Sequence, residues 1–465
     1  MWIYVPVKAD DPDGEAPEAW VGKIENSGLP KGAWKFEAVR HSEFAGVYNG
    51  DPFTDASTVV GLLDHQRQCT LVRPFLARTD PGSIGSGLYA RTIVSGEFQA
   101  LVTGLQFPDS TDGVIDRLSF DSPSFAAWYG TAAFKKDYDL EVRKPSMEIL
   151  DTLRESVSLS TGETVEVALG AEVSSRGSSA SVRTASSFLM KFGTPANLDH
   201  VIEVAGELEV LFGFLIGFRR KPPTFQISVA DNTATIDLAG WNWTAQELPD
   251  HFRPLHVRGL GGGNLKAVLS RFMSDRLSLV TRVHAVEFSR FFSNNLNDRF
   301  SMVMPVLEEY LLNRYKTGDE QSYLDLRQEF FDWIEASPNK NLAEFSRKHV
   351  KVVEQKAPGL ATLIERAIDD VNRSNFAFPR LLAKRIQNRR GKVFHSAPSM
   401  TADEARKFYA EVRAATGLLL LLTLKDLGID IATLSDRYFA LWDLQGFFRP
   451  QDSAETAEPS AVEQE

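Results

Sequence analysis

The sequence predicts an α+β multidomain protein, with a β-rich N-terminal domain followed by an all-α domain. Three observations carry this. Short β-prone runs punctuated by Gly, Pro, Asp and Ser occupy the first half, and stretches with 3.6-residue apolar periodicity occupy the second. A glycine cluster, Gly259, Gly261, Gly262 and Gly263, stands between them after Pro254 and marks a hinge or boundary. At 465 residues the chain also exceeds what one hydrophobic core usually serves.

In the N-terminal domain, residues 1–258, the runs 58–63, 70–75 and 90–94 read as strands within the stretch 44–129. A second β-prone stretch covers 163–191, where 165–169 and 182–189 partly alternate apolar with polar residues, as half-buried antiparallel strands require. Residues 198–218 switch to helical spacing through Val201, Val204, Leu208, Leu211 and Leu215, which predicts one helix packed on the sheet. The runs 224–229 and 233–238, separated by Ala230, Asp231 and Asn232, read as a hairpin. The all-α domain, residues 264–450, contains predicted helices at 265–292, 299–315, 323–336, 342–355, 360–373, 380–387 and 402–426. Residues 451–465 are acidic and poor in large apolar side chains, so they read as a disordered tail.

Composition is that of a globular protein, 43% hydrophobic and 24% charged, with 31 Phe and 8 Trp to fill cores. Cys69 is the only cysteine, which excludes an intrachain disulfide or a thiolate-rich metal site and fits a reducing cytoplasm. Residues 1–8 lack the pattern of a signal peptide. The apolar run 417–423, between Arg413 and Lys425, is far shorter than the roughly 20 residues needed to cross a bilayer and reads as a buried helix. No membrane association is expected.

The net charge of −11 argues against a protein that coats nucleic acid by bulk electrostatics. The local distribution differs. From Arg380 to His395 the chain carries Arg380, Lys384, Arg385, Arg389, Arg390 and Lys392, with no Asp or Glu among them. This segment closes with Arg389-Arg390-Gly391-Lys392-Val393-Phe394-His395. Cleavage of RNA by its own 2′-hydroxyl needs a group that manages a proton near neutral pH and a cation that stabilises the phosphorane. Histidine, with an ordinary pKa of about 6.5, meets the first need, and the arginine fork meets the second. Neither role calls for a metal or cofactor. Residues five apart on a helix stand about 140° apart, so Arg390 and His395 share a face only if the helix ends between them, an ending that Gly391 and Pro398 favour.

Other candidates are weaker. His251 and His256, with Asp250 nearby, lack a third metal ligand at usable spacing. Gly259 to Asn264 has no Gly-Lys-Ser/Thr ending, and no Gly-x-Ser-x-Gly elbow occurs among the serines of 174–187. His284 and His349 stand singly on predicted helices.

An arginine followed four to six residues later by histidine, late in an all-α domain, resembles the signature of the HEPN ribonuclease superfamily. Residues 300–314, Phe-Ser-Met-Val-Met-Pro-Val-Leu-Glu-Glu-Tyr-Leu-Leu-Asn-Arg, are similar to an early helix of its ApeA-like group, and 404–427 looks like that group's closing helix. The stretches 46–63 and 118–128 resemble the β-rich domain that precedes HEPN there. Gly391 departs from the pattern, since family members commonly carry Asn, Asp or His after the motif arginine; reading Arg389 as that arginine puts Arg390 in the place instead.

The resemblance implies a metal-independent endoribonuclease of bacterial anti-phage defence, ending in abortive infection, that acts as a homodimer or higher homo-oligomer with paired arginines and histidines in one composite cleft. Its partners would be RNA, with tRNA, mRNA and rRNA all open, and a phage-derived trigger. Arg390 and His395 are the catalytic candidates; Arg389, Asn388, Lys392, Arg385 and Glu308 are candidates for support or RNA binding. The competing reading is a catalytically inactive HEPN-like scaffold recognising a protein or glycan, for which Trp34, Trp241 and Trp243 offer aromatic surface.

Overall fold

The computed structural model describes residues 2–4, 19–26, 34–42, 58–63, 67–84, 89–129, 134–139, 144–149, 153–176, 179–217, 223–238, 265–292, 295–315, 319–336, 338, 340–341, 344–345, 358–373, 376–395, 400–434 and 436–447. The chain divides into two compact units, Met1–Ser274 and Asp275–Glu465. The first is β-rich and the second helical, so the fold is α+β.

The strands of the first unit are β1 (Trp2–Tyr4), β2 (Ala19–Asn26), β3 (Trp34–Ser42), β4 (Thr58–Leu62), β5 (Gln68–Val72), β6 (Phe75–Ile84), β7 (Tyr89–Glu97), β8 (Ala100–Thr103), β9 (Ile115–Phe120), β10 (Phe134–Asp139), β11 (Lys144–Ile149), β12 (Leu153–Ser158), β13 (Thr164–Arg176), β14 (Ser179–Ala196), β15 (Phe225–Val229) and β16 (Asn232–Leu238). Fourteen of them form one sheet in the order β12-β13-β14-β9-β15-β16-β8-β5-β4-β1-β2-β3-β7-β6, while β10 and β11 pair separately. The pairings are antiparallel, including the long β13–β14 hairpin, which runs from Thr164↔Lys191 to Arg176↔Ser179.

Helix α1 (Pro123–Tyr129) and helix α2 (Leu198–Ile216) cover this sheet. Asn197 starts α2 by accepting a hydrogen bond from His200 N at 2.8 Å, and Gly217, at φ 71°, ends it in the left-handed conformation that glycine adopts without strain. Because α2 is apolar nearly all round, it is buried along most of its length. Phe212 on α2 stacks on Trp128 and meets Phe120, Phe125 and Phe188 edge-on or tilted, with ring centroids 5.0–6.4 Å apart. Helix α3 (Leu265–Ser274) buries Leu265, Val268, Leu269 and Phe272 on one stripe.

In the helical unit, α4 (Arg276–Glu287) runs into a π-helical turn at Phe288–Phe292 and is followed by α5 (Leu296–Tyr315), α6 (Asp319–Glu335), α7 (Leu360–Val371), α8 (Leu381–His395), α9 (Ala402–Asp426) and α10 (Asp436–Leu441). Helix α9 is the central element: α4, α5, α7 and α8 all pack against it. The run Leu418–Leu424 is buried within it. Gly417 lets this core close, since a Cβ there would stand 2.5 Å from Leu444 Cδ2 and 3.2 Å from Phe378 Cζ.

Most predicted elements recur, with differences: helix α1 and strands β10 to β12, at 123–129 and 134–158, stand where no such element was predicted. Strands β1 to β3 precede the first run read as β, and a short closing segment, 431–447, adds α10 and two 3-10 turns beyond the last predicted helix. The periodic stretch 265–292 is broken at Asp275, and its first part, α3, groups with the β-rich unit. Helix α8 extends eight residues past the predicted end at 387, to His395. The glycine hinge at 259–263, the tail 451–465, most of the predicted helix 342–355, and His251, His256, His349, Trp241 and Trp243 lie outside the described residues.

A capping box starts α9: Thr401 Oγ1 accepts from Glu404 N at 3.3 Å, and Glu404 Oε2 accepts from Thr401 N at 2.9 Å. Replacing Thr401 with Ala removes the hydroxyl acceptor and is expected to lower stability by about 1 kcal/mol. The check is the urea midpoint of the far-UV helical signal; an unchanged midpoint would show that the cap carries no weight.

Candidate functional site

Helix α8 buries Leu382, Ala383 and Ile386 and exposes Lys384, Arg385, Asn388, Arg390 and Lys392. The two adjacent arginines meet different carboxylates. Arg389 turns toward α9, where its Nε donates to Glu411 Oε2 at 2.7 Å. Both side chains are largely withdrawn from solvent, at 16% and 7% exposure, and the guanidinium lies 4.6 Å over the Phe408 ring. Arg390 turns toward α5, where its Nε and Nη2 donate to Glu308 Oε2 and Oε1 at 2.9 and 3.1 Å. This two-pronged pair leaves Arg390 47% exposed. The Nη1 edge of the guanidinium is not used by Glu308, so the carboxylate orients Arg390 without exhausting its donors.

The expected helix end between Arg390 and His395 does not occur. Helix α8 continues through Gly391 to His395. A glycine costs a helix only about 1 kcal/mol, and half-buried Val393 follows on the inward side. Arg390 and His395 therefore stand about 140° apart on one uninterrupted helix and do not share a face within one chain. By register Arg390 follows Ala383 and Ile386, while the His395 side chain lies outside the described residues.

Of the residues singled out in the sequence, Arg390 and Glu308 are brought together, while Arg385, Asn388 and Lys392 line the outward face. Arg389 is tied down beside Arg390 but serves the packing of α8 on α9. Glu309, next to Glu308, lines a separate cleft of about 520 Å³ together with Asp275, Arg282, Tyr310, Asn313 and Arg314.

That cleft holds charges that sequence reasoning missed, Asp275, Arg282 and Asp426. Asp426, at the end of α9, accepts from buried Arg282 and, at 2.6 Å, from Arg314 Nη1. Arg282 lies 4.7 Å over the Tyr310 ring. Burial, and after it the Asp426 carboxylate, pushes the Tyr310 hydroxyl above the ordinary tyrosine range and keeps it a phenol. Nearby, Asp370 pairs with Lys425 and accepts from Tyr315 Oη at 2.8 Å. Burial raises the Asp370 pKa, but the Lys425 and Tyr315 hydrogen bonds and the Lys425 and Arg314 charges outweigh it, so the carboxyl titrates below its usual range. The sequence signal for such pairs is a carboxylate on or beside an apolar stripe, as with Glu411 between Phe408 and Ala415. Among the described residues no group of three or more His, Cys, Asp or Glu side chains is placed to hold a metal ion, and no described helix is long and apolar enough to cross a membrane.

Two stability measurements separate the roles. Arg389→Ala strands Glu411 in the core and is expected to cost about 3–5 kcal/mol, whereas Arg390→Ala removes a more exposed pair and costs about 1 kcal/mol or less. Equal losses in urea denaturation would contradict this division. In Gly391→Ala the new methyl meets nothing within 4 Å, so the substitution should raise stability by about 0.5–1 kcal/mol. A loss would indicate that the helix stops at Gly391.

No curated protein and no solved structure matches the chain. Residues 34–234, from β3 into β16, match the family described as ApeA N-terminal domain 1. By that match residues 34–234 carry the β-rich N-terminal domain of the ApeA-like group, a family tied to anti-phage defence.

Proposed function

We propose that this ApeA-like protein is a metal-independent endoribonuclease of abortive-infection defence, cutting RNA at a composite site to which two copies of α8 contribute. The observation that carries the reading is Arg390, half exposed and held in a fixed orientation by Glu308 on a helix with no acidic residue between Arg380 and His395. Within one chain Arg390 and His395 face apart, so the arginine of one copy would work beside the histidine of the other. In such a cleft the arginines hold the scissile phosphate. One histidine accepts the proton of the 2′-hydroxyl as its oxygen bonds to phosphorus; the other protonates the 5′ oxygen as the P–O bond breaks. The products are a 2′,3′-cyclic phosphate and a 5′-hydroxyl. Lys384, Arg385, Asn388 and Lys392 on the outward side supply phosphate and hydrogen-bond contacts along the strand. In this reading the β-rich domain senses a phage-derived trigger or restrains the helical unit.

Incubation of the activated protein with total tRNA in EDTA tests this. Cleavage should survive chelation and fall by about 10²-fold or more in both Arg390→Ala and His395→Ala. A His395→Ala protein as fast as wild type would remove the histidine from the mechanism. The separation of Arg390 and His395 within one chain favours a second reading, a HEPN-like scaffold without activity that binds a protein or glycan. Absence of any cleavage by activated protein would support that reading.

A further inference from the structure

Helix α6 stands apart in the helical unit: among the described elements, none packs closely against it. Its last two turns nonetheless carry large apolar side chains. Ile334 is buried and Phe331 half-buried, but Phe330 is exposed and Trp333 is 66% exposed. Residues three and four apart share a helix face, so Glu329, Phe330 and Trp333 form one stripe with Asp332 at its margin. Glu329 has no ion-pair partner among the described residues, and Asp332 accepts from the neutral Gln328 amide at 2.8 Å. The stripe is an aromatic pair flanked by carboxylates, and large aromatics left in water at one place mark a contact surface.

Helix α8 carries the complementary stripe. Leu381 is 60% exposed, and Lys384, Arg385 and Asn388 follow it at helical spacing on the outward face. Among the described residues neither Lys384 nor Arg385 has an ion-pair partner. One stripe joins aromatic rings to acids, and the other joins a leucine to bases. The exposure of Trp333 and Leu381 shows that the two do not cover each other within one chain. A second copy brings to each stripe the surface it matches. Charge and apolar character thus agree on one occupant.

We propose that α6 of one copy docks on the start of α8 in a second copy, with Trp333 and Phe330 against Leu381 and the carboxylates of Glu329 and Asp332 against Lys384 and Arg385. The aromatic anchors supply most of the affinity, and the charges select the partner surface and its register. The docked helix occupies cations assigned above to RNA contact, so the pairing is a closed state from which RNA must displace α6. That consequence rests on the reading of α8 as the RNA-facing helix; the contact between copies does not.

The test follows self-association of the full chain by sedimentation in the absence of RNA. Trp333→Ala should weaken it by about tenfold or more. E329K/D332K and K384E/R385E each set like charges against one another at the contact, and each should associate at least about tenfold more weakly than the parent. An equal mixture of these two variants restores opposite charges at every α6–α8 contact and should associate again, which misfolded variants could not do. A parent chain that stays monomeric, variants that associate as tightly as the parent, or a mixture no tighter than its components would overturn the proposal. If association behaves as expected while the activated protein cuts no RNA, the ribonuclease reading falls and the contact stands; cleavage by a protein whose variants associate like the parent does the reverse.

Discussion

One buried carboxylate, Glu411, governs the geometry of the helical unit's basic helix. It sits on the apolar face of α9, where an unpaired charge would be costly, and Arg389 neutralises it from α8. The pair fixes the rotation of α8 on α9. Arg390, about 100° further round, is then delivered to Glu308 on α5, and the remaining bases are left facing water. Each assignment of a residue on α8 to packing or to ligand contact follows from that rotation. Two adjacent arginines, chemically identical, are divided in this way into a structural and an accessible one.

The same helix reconciles an acidic protein with a basic site. The net charge of −11 is spread along the chain, but α8 contains no carboxylate, and the acids that meet it come from neighbouring helices. Glu411 and Glu308 neutralise Arg389 and Arg390, and outward Lys384 and Arg385 keep their field. A fork held by one carboxylate is also better prepared for a phosphate than a free side chain, because part of its rotamer entropy is already lost. The Asp426 and Asp370 clusters do the corresponding structural work at the other end of α9, tying α4, α5 and α7 to it.

The closing segment, 431–447, is positioned by packing on the helical core. Gly417 opens room on α9 for Leu444 and Phe378, and Phe447 then settles on Phe378. This seals the helical core and carries the chain to the N-terminal end of α8.

The sequence by itself determined the fold class, the α2 helix, the β15–β16 hairpin and the extent of α9, because periodicity is a local property read over a few turns. It also located the basic segment and singled out Glu308, since charge composition needs no folding to be legible. Strands β1 to β3 were not legible because charged residues interrupt the apolar pattern of β2 and β3, and strand pairing depends on partners far away in the chain. Only the tertiary structure separated the surroundings of Arg389 and Arg390, since both lie on the same helix and differ in the carboxylate that the neighbouring helix brings up. It likewise decided that α8 passes through Gly391: a glycine permits a helix end without requiring one, and packing against α5, α7 and α9 supplied the reason to continue.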